Sequence, residues 1–199
     1  MSHRGFDQGS KDLGRTFAIK FNTLVIMGKF SSLLIDLNRS ARHPNAFSEI
    51  SSSLSTEVKK SIIKTYHAPH WEKIQKILEK KTSKDQLAIH IGVHSFTPVL
   101  NNEIRNADIG ILYDPSRKAE RQMALRWKKS IEKRSSDLSV RLNYPYLGKL
   151  DGLTTQLRKK YNDKNYLGIE LEVNHRLIEN KLNWRKTKQI LLESLSDIL

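Results

Sequence analysis

The residues best suited to chemistry sit where apolar segments end. In Ser32-Leu-Leu-Ile-Asp-Leu-Asn-Arg39 an apolar run terminates in Asp36, Asn38 and Arg39. An amide beside a guanidinium fork can clamp a carboxylate; an Asp36–Arg39 ion pair closing a turn is the structural alternative. In Leu87-Ala-Ile-His-Ile-Gly-Val-His-Ser-Phe-Thr-Pro98 an apolar strand delivers His94 to its end, with Gly92 allowing close backbone approach. A neutral imidazole there can ligate a divalent metal, and Ser95 or Thr97 can orient it; a satisfied core histidine is the plainer reading. The plainer reading suits His90, which lies deeper on the same strand face.

Arg105 and Asp108 stand just before the apolar segment Ile109–Tyr113, and Gly168-Ile-Glu-Leu-Glu-Val-Asn-His175 places Glu170, Glu172 and Asn174 on one face at a two-residue period. Two carboxylates inside a sheet are costly without partners. At least one must therefore face a metal, an arginine or an open cleft, and there it could serve as a general base.

The elements that must position these side chains alternate between short apolar strands and amphipathic helices, the pattern of helices packed on a mainly parallel sheet. Strands are predicted over Thr23–Met27, Leu33–Leu37, Leu87–His94, Ile109–Tyr113, Ser139–Leu142 and Tyr166–Val173. Helices are predicted over Ser10–Asn22 with Ser10 as N-cap, Glu57–Tyr66, Trp71–Lys81, Ser116–Arg134 and Trp184–Leu199, with Pro69 breaking or kinking the path between the second and third. Open α/β sheets collect ligands at the carboxyl ends of their strands, which is where these polar residues fall.

The chain has 199 residues, no cysteine and a net charge of +14. The absence of cysteine excludes thiol catalysis, Cys-ligated zinc and iron–sulfur clusters, so any metal must be held by His, Asp or Glu. The length suits one domain over 1–199. No apolar run approaches a membrane span and the first residues lack a signal-peptide core, which predicts a cytoplasmic protein with no membrane partner. The basic charge raises nucleic acid as a partner, best supported by the run Asp114–Arg134. No recognition motif accompanies that run, so a solvated basic face is the better account. Oligomeric state is left open.

In this order, SSLLIDLNRS, the HSFTP segment, IRNADIGILYDP, VRLNYPYLGKLDG and YLGIELEVNH resemble the N-formylglutamate amidohydrolase family, and SHRGFDQG at residues 2–9 is similar to its early Asp motif. The resemblance spans residues 2 to about 178. It implies an α/β, three-layer fold similar to the zinc exopeptidases, with a mainly parallel mixed sheet and helices on both faces. It also implies hydrolysis of the amide of an N-formyl or N-acyl acidic amino acid. By the same resemblance Asp7 and His94 ligate zinc or another divalent metal, Asn38 and Arg39 hold a substrate carboxylate, Arg105 binds substrate or an oxyanion, and Glu172 is the catalytic base.

The family pattern has a strand and a His-bearing motif ahead of its Asp motif, and here the sequence opens at the Asp motif. The expectation is an N-terminally incomplete domain lacking its first strand and first metal histidine; a less favoured alternative is that His3, four residues before Asp7, reaches the metal if the N-terminus folds back. Family members often carry Arg where Ser32 stands and Gln where Glu170 stands. A member with impaired catalysis that only binds small carboxylates is the alternative function, and a basic nucleic-acid-binding protein a more distant one.

Overall fold

A computed structural model describes residues 5–84 and 86–199. Four of the six predicted strands form. They are β1 (Ala88–Phe96), β4 (Ile109–Leu112), β5 (Val140–Leu142) and β6 (Tyr166–Asn174), joined in one sheet in the order β1-β6-β4-β5. β4 runs parallel to β5 and antiparallel to β6. β1 and β6 run in the same direction, since the Ala88 amide donates to Asn165 and, further along both strands, Gly92 lies against Glu170. The sheet is mixed, with helices around it, and the α/β class expected from the alternation is the one adopted.

By contact density the chain divides into two units. The first comprises residues up to Phe6, Ile26–Ile89 and Asp151–Leu167. It carries α2 (Thr56–Ile62), a π-turn over Ile63–His67, α3 (Ala68–Thr82) and α5 (Leu153–Lys160). Its core is Ile74, Leu78, Ala88, Leu153, Leu157 and Tyr166, with Trp71 and Tyr161 packed against it. Pro69 does not break the helical path. It occupies the first turn of α3, directly after the π-turn. There the widened ladder absorbs the missing N–H and the bulk of the ring.

The predicted strand Leu33–Leu37 is a correction. Its amides bond locally, Leu34 and Ile35 to the Ser31 carbonyl and Asp36 to that of Ala46, so it is a run of turns with Ile35 buried at its centre. A five-residue segment with four apolar side chains can bury one of them from a turn as well as from a strand. The predicted strand Thr23–Met27 is likewise irregular.

The second unit comprises Asp7–Val25, His90–Leu150 and Gly168–Leu199. Here α1 (Ser10–Lys20), α4 (Lys118–Arg134) and α6 (Lys181–Ser196) accompany the greater part of the sheet. Trp127 of α4 is fully buried and donates from its indole nitrogen to Ser194 Oγ at 3.0 Å. Gly9, not Ser10, caps α1, in the left-handed conformation at φ 76°. A two-residue hairpin joins β2 (Val99–Leu100) and β3 (Glu103–Ile104) through Asn101 and Asn102, both at positive φ. This is the geometry that asparagine tolerates in a primed turn. Among the described residues, no helix is long and apolar enough to cross a membrane.

Three cations of the basic run are tied down within its own unit. Lys128 donates to Glu132 and to the Val140 carbonyl, and Arg134 pairs with Glu193 and Asp197. Buried Glu120 accepts from the amides of Asp114 and Gly168 and pairs with Arg117.

Candidate active site

In the second unit, Asp7 sits on the turn leading into α1, where its carbonyl accepts from the Ser10 amide and hydroxyl. Its side chain reaches the end of β1, and Oδ2 lies 2.8 Å from Nδ1 of His94. Glu170 and Glu172 both project from β6, and both are almost completely buried. Glycines on the neighbouring strands make room for them. Gly110 pairs directly with Glu172, and Gly92 faces Glu170 and His94. A Cβ at Gly110 would stand 1.9 Å from the Tyr144 carbonyl oxygen, so no side chain fits there.

Arg105 follows the β2–β3 hairpin directly. Its amide donates to the Pro98 carbonyl, which fixes the backbone at that point. The guanidinium lies 5.9 Å from the Phe96 ring centre and 5.2 Å from that of Tyr146, and Nη1 donates to the Tyr146 hydroxyl at 3.3 Å. Two aromatic faces thus hold a cation whose remaining N–H groups have no acceptor among the described residues.

Electrostatics single out Glu172. Burial pushes its carboxyl up to about 8, the charges of Asp7 and Glu170 add to that, and His94 and Arg105 oppose it. Its Oε2 is buried and makes no hydrogen bond among the described residues. Burial works against a charged His94, but the Asp7 hydrogen bond and charge, backed by Glu172 and Glu170, outweigh it and push the imidazole up to about 10. A buried, unsatisfied carboxylate oxygen beside a tightly held imidazole and carboxylate is the signature of a site shaped for a further partner.

The donor chemistry of that site, one imidazole and one carboxylate, suits a hard-to-borderline divalent ion such as zinc. The number of donors is smaller than a catalytic zinc normally takes from protein, which is three. Among the described residues, no group of three or more His, Asp or Glu side chains is set to hold a metal. His3 lies outside the described residues.

Asn38 and Arg39 belong to the first unit. Nε of Arg39 pairs with Asp36 Oδ2 at 3.3 Å, and Asp36 Oδ1 accepts from the Asn38 amide, so the expected turn-closing pair is present. Three consecutive carbonyls of this turn are each tied to a different element. Trp71 Nε1 donates to Leu37, the Leu153 amide donates to Asn38, and His67 Nε2 lies 2.8 Å from the oxygen of Arg39. The turn is therefore rigid although it is not a strand end.

The structure brings together Asp7, His94, Glu172 and Arg105 in one unit and holds Asn38 with Arg39 in the other. Glu170 joins the first group through its charge on His94 and Glu172. Ser95, considered as an orienting partner for His94, instead bonds His175 Nε2 at 3.0 Å. Asp108 pairs with Arg176 and accepts from the Ser139 amide, a structural role. Tyr146, His67 and Trp71 were not legible as site residues. Their contacts join segments between 28 and 41 residues apart, and no local spacing signals them.

A family model described as N-formylglutamate amidohydrolase matches residues 1–179. No curated protein matches the chain. Among solved structures, a gene product of Agrobacterium tumefaciens is 24% identical, with a TM-score of 0.81 over 99% of this chain and 80% of its own. An N-formylglutamate amidohydrolase from Ralstonia eutropha JMP134 is 14% identical, with a TM-score of 0.69 over 95% of this chain and 81% of its own. At these identities the likeness to the two structures is one of fold.

Proposed function

We infer that this protein, which belongs to the N-formylglutamate amidohydrolase family and is a hydrolase of non-peptide carbon–nitrogen bonds, cleaves the amide of an N-formyl or N-acyl acidic amino acid with Glu172 as general base. The observation that carries this reading is the buried, unsatisfied Oε2 of Glu172 in the same unit as the Asp7–His94 pair and Arg105. Asp7 and His94 would hold a divalent ion, zinc by donor chemistry, whose contribution when bound is to acidify water and polarise the amide carbonyl.

The chain's own groups then divide the work. Glu172 takes a proton from the attacking water and delivers it to the departing amide nitrogen, so that the C–N bond breaks to an acid and a free amine. A carboxyl raised towards neutrality is suited to both halves of that transfer. Arg105, with free N–H groups held between two aromatic rings, steadies the negative charge that gathers on the carbonyl oxygen. Asn38 and Arg39 are assigned to binding a carboxylate.

A second reading, a member that binds small carboxylates without turnover, is favoured by the two-donor count at Asp7 and His94 among the described residues. One assay separates the two. The protein, with added zinc, is given N-formyl and other N-acyl acidic amino acids beside D7A and E172Q variants. Turnover abolished by both substitutions supports the hydrolase; binding without turnover that needs Arg39 supports the second reading. Salt-sensitive nucleic-acid binding that ignores Arg39 would overturn both.

A further inference from the structure

The side chain of His43 stands against Arg39 in an arrangement that leaves a hydrogen bond without an acceptor. Nη1 of Arg39 lies 3.1 Å from Nε2 of His43, while Nδ1 of the same ring accepts the Asn45 amide at 3.0 Å. Arginine has no acceptor, and a neutral imidazole has one. With Nδ1 accepting, Nε2 carries the proton, and two donors face one another. Were Nε2 to accept instead, Nδ1–H would oppose the Asn45 amide. In any protonation state one donor pair lacks an acceptor. The backbone amide is fixed by its turn, whereas the Arg39 side chain is 36% exposed and accessible to a ligand.

The neighbouring carboxylates do not supply the missing acceptor. Asp36 is engaged by the Asn38 amide and by Nε of Arg39. Asp151 feels the charge of His43, but its two oxygens accept from Ser40 and Gln156. The backbone of Arg39 is held at its carbonyl by His67, and its side chain is held at Nε by Asp36, which leaves the terminal nitrogens on the side of His43.

We propose that His43 is a specificity-determining residue whose Nε2–H, with Nη1 of Arg39, grips one carboxylate of an acidic substrate. This rests on the reading of Arg39 as a carboxylate-binding residue and extends it to a residue outside the Asn-Arg pair. A carboxylate placed between the two donors turns an opposed contact into two charge-assisted bonds, whereas an uncharged amide or hydroxyl at that point offers weaker acceptance. The gain is therefore selective for an anionic group.

The test is calorimetric titration of the full chain with glutarate, together with KM and kcat for an N-formyl acidic amino acid, in wild type and in H43F, H43Q and R39A, each first checked for an unchanged thermal melt. His43→Phe should weaken glutarate about tenfold and raise KM by a similar factor with kcat within about twofold, the effect of losing one hydrogen bond to a charged group. His43→Gln, which restores an N–H donor, should recover most of the binding. If H43F binds glutarate as wild type does while R39A loses it, the proposal is overturned and Arg39 keeps its role. If R39A also binds as wild type, the carboxylate reading itself fails and takes this one with it.

Discussion

Nε2 of His67 lies 2.8 Å from the carbonyl oxygen of Arg39, and the ring of His67 stacks on Trp71, whose own indole nitrogen bonds the carbonyl of Leu37. The π-turn at Ile63–His67 ends on His67, the residue that makes this bond. A local irregularity in the helix thus serves to fix the backbone of the arginine. His67→Phe keeps the stack and removes the bond. Urea unfolding should show a loss of about 1–2 kcal/mol, and glutarate affinity should fall severalfold as Arg39 loosens. An unchanged midpoint with unchanged affinity would show that the bond does neither.

Two glycines predict opposite outcomes for the same substitution. At Gly110 an added Cβ would run into the Tyr144 backbone carbonyl, with the Glu172 Cβ also close at 3.1 Å, so the backbone itself would have to shift. Gly110→Ala should cost about 3 kcal/mol or more and shift Glu172, its partner in the ladder. Gly14, inside α1, has only a Val25 methyl at 3.6 Å. Gly14→Ala should add about 0.5–1 kcal/mol through helix propensity. Paired thermal melts decide both.

Much of this architecture was legible because hydrophobic period and length agreed. β4 and β6 appear where apolar residues run between polar ends, and α4 where the helical period persists over five turns' length of sequence. The run Leu33–Leu37 misled because so short a mainly apolar segment carries no period of its own, and its fate was decided by Ala46 and Ser31. α5 was missed because Leu153 and Leu157 alone mark its buried face in a polar stretch. The β2–β3 hairpin was missed although Asn101-Asn102 is a usable turn signal. At the candidate site, the two-residue period exposed Glu170 and Glu172, but nothing local could announce that Tyr146, 41 residues away, holds Arg105.

Zinc binding, if it occurs through Asp7 and His94, must compete with the bond between them. Added zinc should raise the melting temperature of the wild type at pH 7.5, because a ligand that binds only the folded state stabilises it by mass action. D7A should abolish that increment, and E172Q should retain most of it, since Glu172 is assigned to the proton and not to the metal. An increment that survives D7A would remove Asp7 from the ligand set.

Without metal, the proton affinities of His94 and Glu172 tie stability to pH. His94 is raised from an ordinary 6.5 to about 10 and Glu172 from 4.5 to about 8. Both groups bind protons more tightly in the folded protein than in the unfolded chain. Across those intervals the folded state therefore holds more protons, and unfolding free energy falls as pH rises. In chelator, urea midpoints should decline steadily from about pH 6 to pH 10. Glu172→Gln removes the ionisation that burial opposes, so it should flatten the part of the decline that ends near pH 8 and leave the part due to His94. At pH 9 the variant should be the more stable protein by on the order of 1–3 kcal/mol, the cost of a buried polar group without a partner. Parallel profiles for wild type and variant would mean that Glu172 is already satisfied in solution, and its assignment as the base would lose its physical ground.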